Sequence, residues 1–100
     1  MMRVRHNNYF YIYFMKDVTC PCCGYITLSN VGEYNVCLIC YWEDDPVQRN
    51  NPDYDSGTNK FILRQAQKNY MEYGVSDYDM KRHVFKADKH DIKDPNWKPF

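Results

Sequence analysis

Five cysteines occur in this chain of 100 residues, and four of them fall at spacings that suit a single metal ion. Cys20-Pro21-Cys22-Cys23-Gly24 and Cys37-Leu38-Ile39-Cys40 each hold two thiols three positions apart, with thirteen residues between the pairs. A tight turn of that length lets both sulfurs reach one ion. Pro21 helps set the bend, and Gly24 tolerates the left-handed conformation that turns backbone N–H groups toward the sulfurs. Four thiolates in a tetrahedral shell are the commonest structural arrangement for zinc. Cys20, Cys23, Cys37 and Cys40 are therefore the predicted ligands of one zinc ion per chain. Such a shell leaves no open position for water, so the ion is expected to hold the fold and not to activate a nucleophile.

Iron is the leading competitor, since Cys23-Gly24-Tyr25 also resembles a rubredoxin knuckle. The short connection between the knuckles and the unlike second knuckle argue against it. Cys20 and Cys23 read as a thioredoxin-like redox pair would need a helix after a strand, and no βαβ pattern surrounds them. Cys22 is left over. It is either a variable position in the turn or a partly exposed thiol beside the metal that senses oxidants or serves as an alternative ligand.

A second polar concentration follows directly. Trp42 is succeeded by Glu43, Asp44 and Asp45, then by Asn50, Asn51, Asp53, Asp55 and Asn59. One reading is a hard-ion or catalytic carboxylate site, and Asp53-x-Asp55-x-Gly57 carries a fragment of a calcium loop. The bidentate glutamate that such a loop needs downstream is missing. The other reading is a solvated loop whose Asx side chains bond their own backbone and cap the next helix. His6, His83 and His90 lie in flanking regions, so no histidine supports acid–base work, and neither a nucleophile elbow nor a phosphate-binding glycine loop is present.

The elements that must position these residues are short. Tyr25–Leu28 and Glu33–Val36 are strand-like and are joined by Ser29-Asn30-Val31-Gly32, so the expected scaffold is a β-hairpin carrying both knuckles, as in a zinc ribbon. Residues 42–59 show neither helical nor strand period and are expected to form a long loop. A helix is expected over Lys60–Tyr73, with Leu63, Ala66 and Tyr70 on one face, and Gly74 stands where an αL cap belongs. Ser76 or Asp77 suits the cap of a second, shorter helix ending at Val84 or Phe85. The predicted class is thus a small α+β, metal-stapled domain over residues 15–85. Residues 18–42 form its ribbon, 43–59 its acidic loop and 60–85 its helical part. Residues 86–100 form a polar tail whose Trp97 is expected to dock back on the domain. Residues 1–14 are set apart as an extension, either upstream sequence before a start at Met15 or an aromatic edge strand.

Composition narrows the function. So small a domain buries a marginal core, and a metal is a usual remedy. An odd cysteine count, with no secretory signal and no long apolar segment, points to a cytoplasmic protein with reduced thiols. Formal charge is +3 over residues 1–16, −6 over residues 17–55 and +3 over residues 56–100. The acidic middle disfavours contact between the ribbon and a phosphate backbone.

Taken together, several motifs resemble the bacterial cysteine-rich CPCC family. They are Cys20-Pro-Cys-Cys-Gly-Tyr25, Cys37-x-x-Cys-x-Trp-Glu-Asp-Asp-Pro-Val-Gln48, Asn51-Pro-Asp53, Gly57-x-Asn59, Leu63-x-x-Ala66-x-x-x-Tyr70-x-x-x-Gly74 and Pro95-Asn-Trp-Lys-Pro99. Leu38-Ile39 departs from the proline that the family tends to carry in its second knuckle. The resemblance implies a small metal-binding domain without an established activity. The leading expectation for function is a non-enzymatic module that recognises another protein as an adaptor, inhibitor or immunity-type protein. Its interface is expected at Trp42, Glu43, Asp44, Asp45 and Asp53, with aromatic anchors inside a charged rim. The alternatives are nucleic-acid binding through Lys60, Arg64 and Lys68 with Lys81 and Arg82, and a hydrolase-like enzyme built on the Asp/Asn loop.

Overall fold

Each Cys-x-x-Cys turn is itself the tip of a miniature hairpin. In the computed structural model, which describes residues 16–100, β1 (Val18–Thr19) runs antiparallel to β2 (Ile26–Leu28) on either side of the first knuckle. The second knuckle lies in the same way between Val36 and Glu43, which form an isolated antiparallel bridge. The two turns share a hydrogen-bond plan. Cys20 N–H donates to Tyr25 O (2.8 Å) and Gly24 N–H to Cys20 O (2.9 Å), while Cys37 N–H donates to Trp42 O (2.8 Å) and Tyr41 N–H to Cys37 O (2.7 Å). The residue after the second cysteine is left-handed in both, Gly24 at φ 82° and Tyr41 at φ 70°.

A two-strand antiparallel hairpin beside four clustered cysteines bears out the small, zinc-ribbon-like α+β class. The pairing inside it differs from the expected one. Tyr25–Leu28 does not pair with Glu33–Val36; each run pairs across its own knuckle, because the Cys-x-x-Cys turn already reverses the chain. Residues 33–36 instead lie beside the start of the acidic stretch, where Asp44 N–H donates to Asn35 O (2.9 Å) and Tyr34 N–H to Asp44 O (3.1 Å).

The stretch 42–59 is not loop throughout. Asp45 caps a short helix, α1 (Pro46–Asn50), accepting from the backbone N–H groups of Val47 and Gln48, with a proline in the first turn. Gln48 is then buried and acts as an internal pin. Its amide donates to Tyr54 O and Phe61 O, and its oxygen accepts from the backbone and side-chain N–H groups of Asn59. Gly57 is required here, since a Cβ on it would lie 2.3 Å from Gln48 Cδ.

These bonds hold the chain out of helix as far as Phe61, so the main helix α2 covers Leu63–Tyr73 and starts three residues later than its periodicity suggests. Its buried face carries Leu63 and Ala66, with Tyr70 packed alongside, and Gly74 ends it at φ 80° with a bond to Tyr70 O. A 3-10 helix, Tyr78–His83, follows under an Asp77 cap. The C-terminal segment returns to the first knuckle. Tyr25 bridges Lys93, Asp94 N–H donates to Gly24 O (2.8 Å), and the Trp97 indole donates to Pro21 O (3.0 Å). The core these pieces enclose consists of the five cysteines with Leu28, Ile39, Trp42, Leu63 and Ala66. No helix among the described residues is long and apolar enough to cross a membrane. The two readings of residues 1–14 lie outside the described residues.

Candidate metal centre

The two knuckles face each other and bring Cys20, Cys23, Cys37 and Cys40 together with no solvent exposure on any of them. Their four sulfurs all lie within 4.8 Å of one another. The cross pairs are 3.6 Å (Cys20 to Cys40) and 3.7 Å (Cys23 to Cys37). A disulfide would need about 2.05 Å. A tetrahedron with metal–sulfur bonds of about 2.3 Å has edges of about 3.8 Å, close to both cross pairs. The donor set therefore fits a tetrahedral metal ion.

The electrostatics point the same way. Burial pushes the Cys20 and Cys40 thiols well above the ordinary cysteine value. A bond with Cys20 lowers Cys23, but bonds with Cys37 and Cys40, joined by burial, prevail and raise it. Burial also opposes ionisation of Cys37. Hydrogen bonds from Cys20, Cys23 and Cys40, and from the Thr27 hydroxyl at 3.1 Å, overcome it and hold Cys37 well below the usual range. Within the protein alone, burial and the neighbouring thiols oppose ionisation of Cys20, Cys23 and Cys40. A cation at the centre supplies the charge that lets them ionise. Thr27 is the site residue that spacing could not single out, because only folding places β2 against the second knuckle.

Cys22 is fully buried and lies outside the group of four. That burial removes the exposure on which the sensor reading depends.

The expected interface residues separate. Trp42 and Asp44 are fully buried and Asp45 nearly so. Asp44 accepts from Gly32 N–H, from the Trp42 indole and from Arg49, whose Nη2 also donates to Thr19 O. Arg49 thereby ties α1 to β1. Asp45 accepts from Thr58 N–H besides capping α1, and its carboxyl sits below the usual range: burial raises it, but its bonds from Thr58, Gln48 and Val47 outweigh that. Asp44 and Asp45 carry interior hydrogen bonds, and Trp42 is buried beside them. Asp53 is exposed and paired with Arg64 at 2.8 Å. Glu43 is half-buried, and among the described residues no hydrogen bond or ion pair engages its carboxylate. Among those residues the cysteines are also the one set of three or more His, Cys, Asp or Glu side chains gathered closely enough to hold a metal.

The family model described as "Cysteine-rich CPCC" matches residues 18–91, well over half of the sequence. No curated protein matches the chain. With both knuckles, the acidic stretch and the main helix inside the matched span, the chain belongs to the cysteine-rich CPCC family.

Proposed function

We propose that the chain is a zinc-stapled, non-enzymatic binding module that recognises another protein. The observation that carries this reading is the closed shell of four buried sulfurs. An ion held by four protein ligands in a dry core has no position for water or substrate, so it serves the fold. Zinc suits four thiolates in this geometry, and elemental analysis separates it from iron.

Two observations favour binding over the alternatives. Asp44, Asp45 and Asp53 are engaged by Arg49, by backbone N–H groups and by Arg64, and among the described residues no cluster of acids is assembled for hydrolysis. On the basic face, Lys60 lies 3.5 Å from Asp79, Arg64 is paired with Asp53, and Lys81 donates to Tyr73 O. That compensation weakens a phosphate-binding reading. Meanwhile Val31, Tyr34 and Val47 stand exposed around the acidic segment. The test is quantitative binding by the metal-loaded protein. Capture of a protein partner that survives replacement of Lys68 and Arg82, and that is lost on unfolding by chelation, is expected. Salt-sensitive binding to DNA or RNA that disappears with those two bases would overturn the reading.

A further inference from the structure

A cleft of about 220 Å³ opens beside the second knuckle, lined among others by Tyr41, Trp42, Glu43, Phe61, Asp77 and Met80. It lies below the roughly 300–1,000 Å³ typical of pockets for drug-sized ligands, so its scale is that of a single side chain. We propose that this cleft receives an arginine side chain of the protein partner. The inference rests on the binding-module reading above and names the chemistry of the partner's contact.

Glu43 supplies the charge. Its backbone is fixed by two bonds with Asn59, N–H to Oδ1 at 3.0 Å and O from Nδ2 at 2.7 Å, while its carboxylate has no partner among the described residues. Asp77 adds a second acid on the lining. Lys60 is the base there; its ammonium is held near Asp79 and lies 5.3 Å from the Phe61 ring centroid, so a ring of this cleft already attracts a cation.

Tyr41 supplies an independent argument. The first knuckle puts glycine at the left-handed position after its second cysteine, and the second knuckle puts a tyrosine there at φ 70°. Left-handed backbone costs a non-glycine residue about 1–2 kcal/mol. Strain of this kind clusters where a side chain is needed for binding. Tyr41 is one of the residues that line the cleft, and its ring lies 5.8 Å from the ring of His83.

A lining that combines aromatic residues with a carboxylate that has no partner among the described residues suits guanidinium better than ammonium. The planar group stacks on a ring while its N–H fork meets both carboxylate oxygens. On the lining, the two acids Glu43 and Asp77 outnumber the single base Lys60, which favours a basic occupant.

The test uses metal-loaded full chain labelled with nitrogen-15, titrated with the capped tripeptide acetyl-Gly-Arg-Gly-amide and with its neutral citrulline counterpart. Saturable shifts at Tyr41, Glu43, Phe61 and Asp77 are expected, with the citrulline peptide bound at least about tenfold more weakly. Glu43→Gln should lose a similar factor and Asp53→Asn nothing. Tyr41→Gly keeps the turn that the knuckle needs, so it should fold and yet bind poorly. Shifts absent from the cleft at millimolar peptide, equal binding of the citrulline peptide, or unchanged binding by Glu43→Gln would each overturn the proposal. A protein partner held equally by wild type and Glu43→Gln would sink the cleft alone and leave the module reading in place.

Discussion

Replacing Gly24 by alanine should harm this fold far more than the same change at Gly74, although both glycines are left-handed at nearly the same φ, 82° and 80°. At Gly74 a new Cβ meets nothing within 4 Å, so Gly74→Ala carries only the conformational cost, about 1–2 kcal/mol. At Gly24 the new Cβ would lie 2.5 Å and 2.6 Å from two ring atoms of Trp97 and 3.1 Å from the side chain of Lys93. The indole must move away, which threatens its bond to Pro21 O and the neighbouring bond from Asp94 N–H to Gly24 O. Forced overpacking adds about 1–3 kcal/mol, so Gly24→Ala should cost roughly 2–5 kcal/mol in all.

Equilibrium denaturation of both variants, in a fixed excess of the bound metal, measures the difference between them, which is the clash itself. The indole N–H resonances report its origin: Trp97 should shift and exchange faster, while Trp42, bonded to Asp44 in the core, should not. Equal losses for the two variants, or an unmoved Trp97 resonance, would refute the packing of the C-terminal segment on the first knuckle.

Arg49→Leu would leave the fully buried Asp44 carboxylate without its ion pair and should cost about 3–5 kcal/mol, checked by chemical denaturation. Asp45→Asn should cost about 1 kcal/mol at neutral pH, because the side chain still caps α1 but gives up charge-assisted bonds. The folded carboxyl value of Asp45 is depressed, so its charge stabilises fully above the unfolded value near about pH 4 and loses that effect as pH falls through the folded value. The stability gap between wild type and Asp45→Asn should therefore be flat above that pH and shrink below it; a gap that widens in acid would contradict the assigned bonds. Acid also protonates the thiolates, but both proteins share that effect, so it cancels in the difference. Cys22→Ala should bind as much metal per chain as the wild type, measured by elemental analysis, since Cys22 lies outside the four-sulfur group.

The four clustered cysteines were legible because a local spacing encodes them: each Cys-x-x-Cys turn presents its own pair of sulfurs. The helix face of Leu63, Ala66 and Tyr70 and the cap at Gly74 were legible for the same reason. Strand pairing was not, because Glu33–Val36 can lie beside either Tyr25–Leu28 or the residues after the second knuckle, and only three-dimensional packing chooses. The helix α1 carried a readable signal in Asp45-Pro46, a cap followed by a first-turn proline, but its five residues are too few to show a period. The interior position of Asp44 and Asp45 was the least visible feature. Acidic residues in sequence suggest a charged surface, and what draws these inward is the Arg49 guanidinium and the N–H groups of Gly32, Val47, Gln48 and Thr58, several of them distant in the chain.

The most direct test counts metal and thiols together in the metal-loaded Cys22→Ala chain, which keeps only the four proposed ligands. One ion per chain is expected, with no thiol reactive before chelation and all four of Cys20, Cys23, Cys37 and Cys40 reacting as the ion leaves and the fold is lost. A freshly purified protein that holds no metal, keeps its fold and shows reactive thiols from the start would contradict the account.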